Sequence, residues 1–175
     1  MQAEWILIAI LTFIGVYAVT LCNRLARLRR RVRAEWSGIE AQLGRRADLV
    51  PPLLETVKPH AAQAHKLFAQ ITRERAQSID ANDVPGQAAA AHALRNSLGR
   101  LLALAEASPA LKADEKFRGL QRQLAEIEGR LQMARRAYNE AVRDFNIAVR
   151  AFPNALLAWP LGFREAPYFE PDDAG

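Results

Sequence analysis

The chain has 175 residues, with 24 Lys and Arg against 19 Asp and Glu, three histidines, one cysteine and a formal charge of +5. A single cysteine excludes an internal disulfide framework and a cysteine-ligated zinc site. Six of the cations, Arg24, Arg27, Arg29, Arg30, Arg31 and Arg33, cluster behind one apolar run, and without them the rest of the chain carries about −1. The basic character is therefore local and is not that of a nucleic-acid-binding face.

The apolar run, Trp5 to Cys22, has 18 residues and no charge. At about 1.5 Å of helical rise per residue it reaches roughly 27 Å, close to the ~30 Å hydrocarbon core of a bilayer. A membrane span, a cleaved signal peptide and a buried core helix compete for such a stretch. A secretory signal carries cations ahead of its apolar run, and Met1 to Glu4 holds no Lys or Arg. A core helix would be polar along one face, whereas only Thr12 and Thr20 interrupt this one. Residues 1–23 therefore read as a transmembrane helix, with Trp5 and Tyr17 suited to the headgroup zones. Leu21 is too bulky for a lipid-attachment box, so Cys22 reads as an apolar residue at the membrane edge. No acid separates the arginines before Glu35, so the positive-inside tendency places the amino terminus outside and the remaining body in the cytoplasm. The collar of arginines is expected to attract anionic headgroups.

Neither glycine nor proline occurs between Gly15 and Gly38, so a helix is expected to run on through the arginines. Leu25, Leu28, Val32, Trp36, Ile39 and Leu43 form one apolar stripe along it. Asp48-Leu49-Val50-Pro51-Pro52 is expected to break it, because two prolines remove two amide donors. A second helix then runs from Leu53 to about Ile79 through Val57, Ala61, Ala64, Phe68 and Ile71, with Pro59 in its early turns. After the turn-forming segment Asp80–Gly86 a third spans about Gln87–Glu106, with Leu94, Leu98, Leu101 and Ala105 on one side. Ser108-Pro109 closes it. The last carries Phe117, Leu120, Leu124, Ile127, Leu131, Ala134, Tyr138, Ala141, Phe145, Ala148 and Phe152 in alternating steps of three and four, and Pro153 stops it.

The predicted fold is all-α: an N-terminal transmembrane helix followed, over residues 24–153, by an antiparallel up-and-down four-helix bundle. The tail, 154–175, is aromatic and ends acidic at Glu170, Asp172 and Asp173. In that topology it returns to the membrane end, where Leu156, Leu157, Trp159, Leu161 and Phe163 either touch lipid or lid the bundle.

No catalytic constellation is legible. His60, His65 and His92 are preceded three residues earlier by Val57, Ala62 and Ala89, so the Glu-x-x-His pairs of metal-binding bundles are absent. Phosphate-cradling glycine loops and a G-x-S-x-G elbow are absent too. No metal, no cofactor and no enzymatic activity are therefore expected. The most unusual polar cluster is Arg45, Arg46 and Asp48 beside the prolines, and it has two readings: a capped helix end, or a corner for partner docking. Asn139 and Asn146, beside the seam of the last helix, either specify register or face solvent.

Several ordered blocks resemble the LemA family of bacterial membrane proteins. The first comprises Trp36-Ser37, Gln42-Leu43, Arg45-Arg46 and Asp48-Leu49-Val50-Pro51, with Leu53, Glu55, Thr56, Val57 and Lys58. The second comprises Leu111-Lys112-Ala113, Phe117, Leu120-Gln121, Ala134-Arg135-Arg136, Tyr138-Asn139, Val142 and Asn146, and Phe152-Pro153 and Gly162-Phe163 follow. Pro52 and Ala47 depart from the family pattern, where asparagine and an aromatic are usual. The resemblance implies a single amino-terminal span in the bacterial plasma (inner) membrane and a helical soluble body, and it supplies no catalytic residues. Relatives are associated with membrane-bound proteolysis loci and with magnetosome membranes. The expected role is a non-enzymatic adaptor or scaffold whose partners are the lipid bilayer and other membrane or membrane-associated proteins, with no nucleic acid. The alternative is a homo-oligomer that organises membrane through its arginine collar.

Overall fold

The computed structural model describes residues 2–169, so the acidic end at Glu170, Asp172 and Asp173 lies outside the described residues. Among the described residues six α-helices follow one another: α1 Gln2–Val57, α2 His65–Asp80, α3 Val84–Glu106, α4 Pro109–Ala113, α5 Glu115–Arg150 and α6 Asn154–Ala158. Two short 3₁₀ turns, Lys58–His60 and Ala62–Ala64, lie between α1 and α2, and no strand occurs among the described residues. The fold is thus all-helical, and it starts with a long apolar helix.

The expected break at Asp48–Pro52 is corrected: α1 continues through Pro51 and Pro52 to Val57, and the chain turns only around Pro59. The reason is a distant side chain. Pro51 has no N–H for the carbonyl of Ala47, four residues back, and an unmet buried carbonyl would be costly. Arg75 on α2 supplies the missing donor, its Nε lying 2.7 Å from the Ala47 oxygen. Pro52 leaves the carbonyl of Asp48 in the same position, but Asp48 is exposed and water can serve it. The other helix starts follow local chemistry. Asp83 accepts from Gly86 N at 3.2 Å to cap α3, and Asp114 accepts from Lys116 N and Phe117 N at 2.7 and 3.1 Å to cap α5. A Cβ at Gly86 would meet the capping oxygen of Asp83 at 2.4 Å.

The described residues divide into two compact units, 2–36 with 137–167, and 37–136 with 168–169. In the second unit one apolar core gathers Val50, Leu53 and Val57 of α1, Phe68 and Ile71 of α2, Leu94, Leu98 and Leu101 of α3, and Phe117, Leu120 and Leu124 of α5. Leu111 of α4 closes it. In the first unit the buried residues include Leu21, Leu25 and Val32 of α1, and Tyr138, Ala141, Val142, Phe145, Ala148 and Val149 of α5. The Trp36 and Tyr138 rings meet there with centroids 5.3 Å apart. The predicted seams of α1 and α5 are buried or half-buried throughout, except at Phe152, which lies beyond the helix end and is 83% exposed.

Candidate membrane-interface site

The first unit holds the features that bear on a membrane. Along α1 the large apolar side chains from Trp5 to Val19 are all exposed, from 50% at Ile14 to 73% at Phe13. Only 6% of the most apolar 18 residues is buried, so this stretch does not pack into the core of its own chain. Its two threonine hydroxyls are already matched to the helix backbone: Thr12 Oγ1 donates to Ile8 O and Thr20 Oγ1 to Tyr17 O, each at 2.8 Å. Neither threonine therefore presents an unsatisfied donor to hydrocarbon. It is the one candidate membrane span among the described residues.

All six collar arginines are exposed and, at 3.6 residues per turn, point round most of the helix. Arg31 pairs with Asp144 of α5 at 3.3 Å, with both side chains well exposed. Arg24, Arg27, Arg29, Arg30 and Arg33 have no carboxylate partner among the described residues.

Beside the collar the chain turns back. Asn154, buried at the start of α6, accepts from Tyr17 Oη at 2.7 Å and donates from Nδ2 to Ala148 O at 3.0 Å, so one side chain ties α6 to both α1 and α5. The turn after α6 closes with Phe163 N donating to Ala158 O at 2.9 Å and Gly162 N to Trp159 O at 3.0 Å, while Gly162 sits at φ +76°. That is a glycine-terminated helix end, and it buries Phe163 against the unit. From there the tail is held along α5. Asn146 donates to Ala166 O at 3.0 Å and accepts from Ala166 N at 2.9 Å. Tyr138 Oη donates to Pro167 O at 2.9 Å, and Arg150 pairs with Glu165. Burial pushes the Tyr138 phenol up from its ordinary value, and the Arg150 hydrogen bond holds the Glu165 carboxyl below its own.

The tail residues thus divide: Phe163 is buried and Leu157 half-buried, whereas Leu156 (67%) and Trp159 (73%) remain exposed. Asn146 does not face solvent: it is buried and grips the returning tail. Nothing in the sequence around Asn146 marks this, because its partner is twenty residues away and is backbone. Two clefts result. An apolar one of about 420 Å³ is lined by Phe13, Ile14, Tyr17, Pro153, Leu156 and Leu157. The other, of about 260 Å³, is lined by Tyr17, Thr20, Leu21, Arg24, Arg27 and Asn154.

The cluster beside the prolines is not brought together as one surface. Arg45 and Asp48 are exposed, while Arg46 is fully buried in the second unit. Arg46 Nη1 donates to Glu128 Oε1 and Nη2 to Ala91 O, both at 3.0 Å. Since α1 does not end at Asp48, no cap forms there. Cys22, at the foot of the span, is a half-buried free thiol. No group of three His, Cys, Asp or Glu placed to hold a metal ion occurs among the described residues.

The LemA family model matches residues 35–175. The chain belongs to the LemA family. Similar curated proteins include LemA-family relatives described as magnetosome proteins. Magnetosome proteins MamQ 1 and MamQ 2 of Paramagnetospirillum magneticum are each 26% identical over 196 aligned positions, which cover 96% of this chain and 72% of each relative. Magnetosome protein MamQ of Magnetospirillum gryphiswaldense is 24% identical over 87% of this chain and 66% of its own length. Family membership, the exposed apolar helix and these relatives together describe a membrane-associated helical protein.

Proposed function

We propose that this LemA-family chain is a non-enzymatic, single-pass scaffold of the bacterial plasma (inner) membrane, with its amino terminus outside and its body held at the cytoplasmic face as an antiparallel up-and-down four-helix bundle that presents its sides to other membrane or membrane-associated proteins. The observation that carries the reading is the exposed apolar face of α1 from Trp5 to Val19 running on into arginines, five of which have no carboxylate partner among the described residues. Such an arrangement is costly in water and favourable at an anionic leaflet, where each nearby cation contributes about 1 kcal/mol. Contributions of α1, α2, α3 and α5 to one core support the bundle arrangement. A carboxyl-terminal reporter active only in the cytoplasm tests the orientation, and an active periplasmic reporter there would refute it.

A second reading, a self-associating protein that organises the membrane, is favoured by the apolar side chains Leu156, Trp159 and Leu161 left exposed beside the collar. Native cross-linking in cells separates the two. Stoichiometric heterologous partners support the scaffold, whereas homo-oligomers that deform liposomes support the organiser.

A further inference from the structure

The two clefts beside Tyr17 lie next to one another, and their chemistry differs in the way the two ends of a lipid differ. The apolar cleft runs between Phe13 and Ile14 on α1 and Leu156 and Leu157 on α6. The neighbouring cleft contains Arg24 and Arg27, one turn apart on α1, and no acidic residue. Tyr17 lines both, and its hydroxyl is already committed to Asn154, so its ring presents carbon to the apolar side. Thr20 donates to Tyr17 O, while Asn154 accepts from Tyr17 Oη and donates to Ala148 O. The two guanidiniums are therefore the charged donors that the cleft offers a ligand, and they select an anion.

Spacing along α1 fits the same occupant. From the level of Phe13–Tyr17 to that of Arg24–Arg27 the helix rises about 15 Å, the thickness of one hydrocarbon leaflet. The apolar cleft is then at acyl-chain depth, and the arginine cleft at phosphate depth on the same side of the bilayer. Guanidinium groups match phosphate oxygens in charge and in fork geometry.

We infer that the paired clefts between α1 and α6 form a binding site for one anionic glycerophospholipid of the adjacent leaflet, its acyl chain against Phe13, Ile14, Leu156 and Leu157 and its phosphate held by Arg24 and Arg27. The inference rests on the membrane-anchored reading of α1. α6, tied down by Asn154, turns one face of the anchor into a shaped site, so the lipid held there differs from those that merely surround the helix.

The full chain, purified in mild detergent and reconstituted into phosphatidylcholine vesicles containing a minor fraction of phosphatidylglycerol, provides the test. Native mass spectrometry of the re-extracted protein reads retained lipid, and carbonate extraction reads insertion. The expected result is one phosphatidylglycerol per chain, with retention falling about thirty-fold in the R24Q/R27Q double variant. The R29Q/R30Q variant, which removes the same charge outside the cleft, should retain the lipid. Leu157→Trp, which fills the apolar cleft, should release it with the arginines intact. Equal loss in both arginine pairs, retention of phosphatidylcholine as well as phosphatidylglycerol, or no retained lipid in an inserted protein would each overturn the site and leave the anchored reading standing. Failure to insert would overturn both.

Discussion

Replacing Arg46 tests the interior of the second unit most directly. The side chain is fully buried, its Nη1 and Nη2 bonded to Glu128 and Ala91, while its Nε has no partner. Arg46→Ala removes a charge-assisted hydrogen bond, about 1.5–3 kcal/mol, and two buried methylenes at about 0.8 kcal/mol each, so the loss should be about 3–5 kcal/mol. The carbonyl of Ala91 lies within α3 and keeps its place in the helix ladder, so it adds no further penalty. Glu128 is a quarter exposed and retains Arg95 at 3.9 Å, which holds the cost to that range. Arg46→Met keeps the apolar stem and relieves the unpartnered Nε of its buried charge, so it should cost no more than about 2 kcal/mol. Arg46→Glu sets two carboxylates together and should be worse than alanine. Urea unfolding of the full chain in mild detergent, followed by far-ultraviolet circular dichroism, measures all three. If alanine stayed within about 1 kcal/mol of the parent, the buried pair would not be a determinant of stability; if methionine proved as harmful as alanine, the stem would contribute nothing and the bound of about 2 kcal/mol on the methionine loss would be refuted.

Arg75→Ala should cost about 1–3 kcal/mol by stranding the Ala47 carbonyl, and in a Pro51→Ala background, where an amide returns to that carbonyl, the same change should cost markedly less; a double-mutant cycle in urea reads the difference. Asn146→Ala removes both bonds to Ala166, so limited proteolysis should cut residues 163–167 faster with the helix content unchanged. The Tyr138 phenol, raised by burial, should ionise above the ordinary value of about 10 when followed by ultraviolet difference absorbance. Its stabilising contribution is fully present below that ordinary value and is lost as pH rises through the folded one, and Tyr138→Phe should abolish the transition.

The exposed apolar segment and its collar are legible in the sequence because composition alone defines them: eighteen residues without charge, then six arginines. The seam of α5 is legible for a similar reason, since thirty-six helical residues give a period room to show. The extent of α1 is not legible. Local chemistry at Pro51 and Pro52 argues for a break, and the donor that offsets it sits 28 residues away on another helix. Arg46 looks in sequence like a partner of Arg45 and Asp48, yet its real partner, Glu128, is 82 residues distant. The fold of the tail hides in the same way. Asn154 reads as the residue after a proline, and nothing near it announces a bond to Tyr17, 137 positions earlier. What stays hidden is every polar side chain that answers a distant backbone or side-chain group.

The bond from Arg75 to the Ala47 carbonyl also sets a direction on how these positions can drift. A lineage can lose Pro51 first, because the restored amide takes over the carbonyl and leaves Arg75 redundant. Losing Arg75 first strands that carbonyl inside the protein. The two substitutions are thus commutative in their outcome but not in their history, and proline at position 51 acts as a ratchet that keeps the arginine in place.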